Sequence, residues 1–456
     1  MSFPSYADYT ESQLEYIGPI PSSWDLMPFF SRFIERKESN KGMKNDNLLS
    51  LSYGRIIPKD INSLDGLLPA SYETYQLVRP GDLVFRLTDL QNDKRSLRSA
   101  IVTGEGIITS AYLAVRPKAM NPAFASHLFR CYDQLKVFYS MGGGLRQSMK
   151  YDDMKWLPVV SPSLPEQAQI ARFLDHETAK IDALIAEQKR LIKLLQEKRQ
   201  AVISHAVTKG LDPNVPMKDS GVEWLGEVPA HWVLASLRRA IKSISNGTTS
   251  PQIDESEKTY PVTRIESISK GTIDFERVGH VQRSDTAQAF ILEHGDILLS
   301  HINSLAMVGN VAIYDDSRPL LHGMNLLRIQ PERSSIDSYW LLYWLKSELV
   351  RQNIESRAKP AINQASISTG SIKDILIPLI PLKEQIRIAN FIDRQTAKFD
   401  ELGNQALKSI ELMKERRAAL ISAAVTGKID VRDWQPPADE SAFDEDVRKA
   451  GVEASA

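Results

Sequence analysis

The sequence predicts an α+β protein with a pseudo-twofold internal repeat: two mixed domains, each followed by a copy of one long helix, the two helices pairing antiparallel as a coiled-coil spacer. Three observations predict it. The stretch that opens Leu164-Pro165-Glu166-Gln167 and runs to Asp212 recurs without a gap from Leu382-Lys383-Glu384-Gln385 to Asp430, 218 residues later. Roughly half of the aligned positions are identical, well above chance for a stretch of this length. The stretches of about 160 residues before each copy share little with one another, so one frame carries two different inserts.

The first domain, residues 1–163, begins with Gly18-Pro19-Ile20-Pro21-Ser22-Ser23-Trp24, a turn leading to a tryptophan to be buried. Gly81-Asp82 before Leu83-Val84-Phe85 reads as a tight turn into a buried strand. A β-rich run follows over Ile107–Val115, then a helix over Phe124–Tyr139 and a polar loop, Gly142–Gln147. Residues 164–212 form the first copy of the repeated helix. Pro165 fits a first helical turn, where its missing N–H is no loss, and Gly210 ends the helix. Leu174, Ile181, Leu184, Leu191, Leu195 and Val202 fall near a and d spacing, interrupted by Gln188 and Lys198.

The second domain, residues 213–381, repeats the marks: Gly226 to Trp232, Gly295-Asp296 before Ile297-Leu298-Leu299, a β-run at Val308–Tyr314, a helix over Tyr339–Ile354, and a polar loop from Lys359 to Gln364. The second helix copy spans 382–432, with Ile392, Phe399, Leu402, Met413 and Leu420 on its stripe. Each stripe is too long for a small neighbour to cover, so mutual packing is expected rather than packing on each helix's own domain. Lys189, Arg190, Lys193, Lys198, Arg199, Lys414, Arg416 and Arg417 are then expected outside. Such charges usually form a solvated face, although a rod along DNA could set some of them on phosphates. Residues 433–456, with Pro436-Pro437 and scattered acids, are expected to be a disordered tail.

Composition bounds the function. The 456 residues exceed one core, and 42% hydrophobic with 25% charged content is ordinary for a soluble protein. A net charge of −1 argues against indiscriminate coating of nucleic acid, but not against local basic patches. A single cysteine, Cys131, excludes an intramolecular disulfide and a cysteine-based zinc site. No secretion signal and no apolar run of membrane length are visible, so a cytoplasmic protein with no membrane partner is expected. Catalytic signatures are missing too. Thr426-Gly427-Lys428 is a fragment of a phosphate loop, Asn121-Pro122 is followed by Ala-Phe rather than Pro-Tyr, and Glu187-Gln188-Lys189 sits mid-helix rather than after a Pro-Asp strand. The eight histidines are scattered, with no metal-binding spacing. A binding protein is expected, with no catalytic residue, no cofactor and no metal of its own.

In this order and twice over, the motifs resemble the specificity subunit of type I restriction–modification systems. The matching residues are Leu164-Pro165-Glu166-Gln167, Ile170-Ala171, Phe173-Leu174-Asp175 and Thr178–Asp182, with Leu382-Lys383-Glu384-Gln385, Ile388-Ala389, Phe391-Ile392-Asp393 and Thr396–Asp400. The helix ends Ile203–Thr208 and Ile421–Thr426, the lead-ins at Gly18 and Gly226, and the Gly-Asp strands complete the pattern over residues 10–432. Lys383 departs from it, standing where the first copy has Pro165. The resemblance implies two target-recognition domains, each reading half of a split and asymmetric site on double-stranded DNA. The helices would set the gap: a rod of roughly 60 Å spans about 17 base pairs. It also implies two modification (methyltransferase) subunits that bind S-adenosylmethionine, and restriction/translocase subunits that use ATP and Mg²⁺.

Base reading calls for Arg or Lys at guanine and Asn or Gln at adenine, on loops that reach an edge. The candidates in the first domain are Arg55, Arg86, Gln91, Lys94, Arg95, Arg146 and Gln147. The stretch from Asn92 to Arg98 is the most basic loop there. The candidates in the second domain are Thr249, Arg264, His301, Asn303, Lys359, Asn363 and Gln364. The bland reading of any one of them is a solvated side chain or a backbone cap. Two alternatives to the restriction-system reading remain at this point. One is the specificity chain of a methylation system without a motor subunit. The other is a coiled-coil adaptor whose domains bind proteins, for which apolar patches rather than polar, basic loops would be the sign.

Overall fold

A computed structural model describes residues 3–62, 69, 71–90, 97–141, 148–269, 271–305, 307–361 and 364–437. The chain divides into two compact units: residues 1–189 with 407–456, and residues 190–406. The division falls inside the repeated helices, so each unit holds one domain together with a piece of both rods.

In the first unit, Phe33–Glu35, Leu113–Pro117, Leu83–Phe85 and Ser99–Ile101 form an antiparallel sheet in that order. A second sheet is ordered Arg55–Lys59, Leu48–Ser52, Gly106–Ile108, Gln76–Val78. The run expected at Ile107–Val115 is therefore two strands belonging to different sheets, split by a turn in which the Tyr112 N–H donates to the Thr109 carbonyl. The domain helix spans Pro122–Gln134, capped by Asn121, and a short 3-10 turn over Val137–Ser140 follows it. Phe29, Phe33, Phe85, Phe129 and Phe138 are fully buried against one another.

The second unit repeats the first sheet strand for strand: Ile241–Asn246, Leu326–Pro331, Asp296–Ser300 and Val311–Tyr314. Its other sheets differ. One is ordered Gln252–Ile253, Gly279–Gln282, Thr259–Val262, and the other Ile302–Asn303, Gln364–Ser366, Lys359–Ala361. In place of the polar loop expected at Lys359–Gln364, Lys359–Ala361 pairs with Gln364–Ser366, and the latter strand pairs in turn with Ile302–Asn303. The helix expected over Tyr339–Ile354 is two helices, Ser338–Lys346 and Glu348–Arg357. The break is at Ser347, whose ψ of 143° is extended rather than helical.

The repeated motifs have the same structural work in both units. Gly81 and Gly295 sit at φ +86° and +88°, where a side chain is strained, and so turn the chain into the buried strand. The aspartate that follows is buried in each. Asp82 accepts from the Arg79 N–H and lies 2.8 Å from Arg36 Nε; Asp296 accepts from the Glu293 N–H and lies 2.6 Å from Arg328 Nε. Trp24 and Trp232 are buried and donate their indole N–H to Glu166 and Glu384, the glutamates of the repeated helix start. The neighbouring glutamines close the joint. Gln167 accepts from the Asn121 N–H and donates to the Pro162 carbonyl; Gln385 accepts from the Asp337 N–H and donates to the Ile380 and Ser335 carbonyls.

The long helices run Leu164–Lys209 and Leu382–Val425. In the first unit Asp182 pairs with Arg417, and in the second Asp400 pairs with Arg199. As the number climbs on one helix it falls on the other, so they pair antiparallel. Asp182 and Asp400 are repeat counterparts, as are Arg199 and Arg417, so each copy supplies the partner the other needs. Two expectations change here. Arg199 and Arg417 are tied into ion pairs rather than left as a solvated face. The expected seam is only partly buried: Leu174, Ile181 and Ile392 are enclosed, while Leu184, Leu191 and Leu402 are exposed.

The expectation of a loose tail from residue 433 changes too, because Trp434 is seated. Its ring lies 5.2 Å from those of Phe173 and His176, and Gln169 Nε2 donates to the Trp434 and Val431 carbonyls. Replacing Trp434 by alanine is expected to cost about 2 kcal/mol from lost area and ring contacts, read as a lower denaturant midpoint. An unchanged midpoint would show that the seat contributes nothing.

Candidate nucleic-acid interface

Sheet pairing in the second unit gathers four of its candidates. Asn303 pairs with Ala365 beside Gln364, and Lys359 pairs with Ser366 on the next strand. Lys359 and Gln364 are exposed. Asn303 is partly spent locally: its Oδ1 accepts from the Ser304 N–H and its Nδ2 donates to Ser300. His301 is half buried, with Nδ1 lacking a partner, and burial lowers its pKa from the ordinary value despite a hydrogen bond with the Asn325 backbone. Burial thus favours its neutral form.

Thr249 and Arg264 line a cleft of about 260 Å³ with Gln252, Glu266, Met324 and Asn325. The approach is close. A Cβ on Gly279 would stand 2.7 Å from Arg264 Nε, so glycine is what lets the arginine lie there. Asn325 joins the cleft to His301. The second unit therefore presents a guanidinium, two amides, a threonine hydroxyl and a carboxylate on one concavity, a set that can both donate to and accept from base edges. Gln252 and Asn325 were missed in the sequence. Their signal, an amide beside a strand end or after Gly323-Met324, is too common to single out.

The first unit does less to gather its candidates. Arg55 opens the strand Arg55–Lys59, is exposed, and lines a groove against both long helices. Arg86 is partly buried directly after the Gly-Asp strand, its N–H donating to the Arg98 carbonyl, and does not line that groove. Arg98, expected in an exposed basic loop, is fully buried and donates to the Thr88 carbonyl. Gln91, Lys94, Arg95, Arg146, Gln147 and, in the second unit, Asn363 lie outside the described residues.

One further difference separates the units. The Phe29 N–H donates to the Leu157 carbonyl as the Leu237 N–H donates to Ile375, which makes Phe30 the counterpart of Arg238 and Trp156 that of Asp374. Arg238 and Asp374 form a 2.8 Å ion pair, whereas Phe30 and Trp156 form an exposed edge-to-face pair at 5.0 Å.

The type I restriction modification DNA specificity domain matches residues 234–412, the whole sheet and cleft of the second unit included. Over these residues the chain is similar to the DNA specificity domain of type I restriction–modification systems. One relative, from Methanocaldococcus jannaschii and named a putative type I restriction enzyme MjaX specificity subunit, is 37% identical over 205 residues, 44% of this chain. The chain spans about half of that protein's length, 47%. The EcoKI specificity subunit of Escherichia coli K12 is 25% identical over 329 residues, 70% of this chain and 68% of its own. Two solved structures share the fold at 17% identity. The HsdS subunit from Thermoanaerobacter tengcongensis has a TM-score of 0.52 and covers 90% of this chain and 98% of its own. A chain from a study of assembly and conformational transition in the type I R-M system has a TM-score of 0.65, covering 89% and 98%. Among the described residues, no helix is long and apolar enough to cross a membrane.

Proposed function

We propose that this chain is the non-catalytic DNA-reading subunit of a type I restriction–modification complex, each domain reading one half of a split, asymmetric target. The observation that carries the reading is the second unit's concavity, where Arg264, Thr249, Gln252 and Asn325 converge. Unlike inserts on like frames imply unlike half-sites. Docking is supported by leucines at repeat-equivalent positions, Leu184 with Leu402 and Leu194 with Leu412, each 46–56% exposed. An apolar mark that occurs twice suits two copies of one partner, the modification subunit. S-adenosylmethionine, ATP and Mg²⁺ act on the modification and restriction subunits, not on this chain.

The test is to express the chain with its modification subunits and sequence the methylated adenines on host DNA. A fixed-gap, two-part motif is expected. No methylation from an assembled complex would favour the adaptor reading, for which the exposed Phe30–Trp156 pair is the one specific sign. In the same assay Arg264→Ala is expected to relax one half of the motif only, by about 1–3 kcal/mol of discrimination. Equal relaxation of both halves, or of neither, would remove Arg264 from base reading.

A further inference from the structure

A groove of about 590 Å³ in the first unit lies between the domain and the paired helices. It is lined by five cationic side chains, Arg55, Arg130, Lys189, Lys414 and Arg417, and by only two carboxylates, Asp175 and Asp182. Both carboxylates are already engaged. Asp175 lies 2.7 Å from His127 Nε2, and Asp182 lies 3.0 Å from Arg417 Nε. Even so, the buried Nε–H of Arg417 is not aimed at a partner. Among the described residues, no carboxylate pairs with Arg55, Lys189 or Lys414.

The arginine at the back of the groove is fixed. Arg130 Nη2 donates to the Gly54 and Ser99 carbonyls, and a Cβ on Gly54 would stand 2.1 Å from its Nη1. Burial, with Arg417 and Arg55 close by, holds the Arg130 guanidinium down at about 10. It therefore stays charged at neutral pH among like charges, an arrangement that an anion would relieve.

The second unit supplies a built-in comparison. Its equivalent groove, about 430 Å³, keeps the frame: Lys346 Nζ donates to the Gly271 carbonyl as Arg130 does to Gly54, and Arg199 pairs with Asp400. Thr272 stands there in place of Arg55, and the repeat counterpart of Lys414 is Gln196. The frame is shared, but the second unit's groove is lined by three cations, Arg199, Lys346 and Arg351, with one carboxylate, Asp400, so the larger positive surplus is in the first unit.

We propose that this groove of the first unit is a phosphate-binding site, in which Arg55, Lys189 and Lys414 close on a phosphoryl group against Arg130 and Arg417. Planar guanidiniums suit the paired oxygens of phosphate, and lysines add point charge. The phosphate comes either from a free phosphorylated anion or from a DNA backbone, and the site does not depend on the base-reading assignment above.

The experiment uses the full chain and the double variant Lys189→Gln/Lys414→Gln, both positions exposed and outside the core. Lys189→Arg/Lys414→Arg is the charge-preserving control. Inorganic pyrophosphate is titrated in a thermal-shift assay, and a duplex is bound across a salt series. Saturable protection by pyrophosphate that weakens at least tenfold in the glutamine variant, and survives in the arginine variant, assigns the site to a free anion. A slope of log K against log salt that falls by about two in the glutamine variant assigns it to the DNA backbone. No change in either assay overturns the proposal. Pyrophosphate protection with no duplex binding by any of the three proteins would leave this site standing and reject the DNA-reading function.

Discussion

Asp296→Ala is expected to destabilise the second unit by about 3–5 kcal/mol, the cost of leaving a buried charge without its partner. Asp296 is fully enclosed and the Arg328 side chain is 8% exposed, so neither water nor a neighbouring acid can take the vacated place. Glu293 is the nearest substitute, at 3.7 Å from Arg328 and 63% exposed, too far and too solvated to replace a 2.6 Å contact. The Glu293 N–H would lose its acceptor as well, which unlocks the turn at Gly295. Denaturant unfolding with tryptophan fluorescence reads the loss, since Trp232, Trp340 and Trp344 lie in that core. Asp82→Ala in the first unit is expected to cost less, because Arg36 is 11% exposed and Arg116, at 3.6 Å, is already half in water. Equal losses, or a loss under 1 kcal/mol at Asp296, would mean that the Gly-Asp turn is held by sheet pairing instead.

Gln385→Ala is expected to cost about 3 kcal/mol, from three hydrogen bonds lost at a site closed to water. The side chain is fully buried; it accepts from the Asp337 N–H and donates to the Ile380 and Ser335 carbonyls, all at 2.8 Å. Alanine would strand one donor and two acceptors, where each stranded group costs about 1–3 kcal/mol before relaxation. The effect should be local as well as global. Hydrogen exchange at Asp337 and over Ser338–Lys346 is expected to quicken more than exchange in the Ile241–Asn246 strand, because the glutamine holds the backbone of Asp337, the residue that caps that helix. Uniform exchange across the unit would contradict a hinge-like role for this residue.

Much of this frame is legible in the sequence because it is written twice. The glutamate, glutamine and tryptophan of each copy stand out by repetition, and the glutamate and tryptophan turn out to bond to one another. The long helices are legible for the same reason, with periodicity added. The side that each leucine faces is not, because the a and d pattern fits both burial against the partner helix and exposure at Leu184 and Leu402. At the candidate interface the limit is different. Thr249 and Arg264 are fifteen residues apart in the sequence and line one cleft, where Gly279 leaves room for the arginine. Nothing local announces such an approach, and Gln252 reaches the same cleft from its strand and Asn325 from the turn before Leu326–Pro331. Arg98 shows the opposite error. A basic run reads as exposed, yet a guanidinium that donates to the Thr88 and Asp89 carbonyls can be enclosed, while the Arg98 backbone N–H donates to Asp133.

The joint between helix start and domain has a consequence for inheritance. At this joint Glu166 with Trp24 and Glu384 with Trp232 are drawn from the repeated segments and their matching lead-ins, and from the inserts Gln167 and Gln385 take only main-chain groups, those of Asn121, Ser335 and Asp337. The crossing pairs Asp182–Arg417 and Asp400–Arg199 likewise use the same two residues from each copy. A gene crossover inside the repeats would therefore trade one insert for another while delivering an intact clasp. New combinations of surfaces can arise by shuffling whole inserts, with no rematching of the scaffold, so this architecture should diversify by exchange faster than by point mutation.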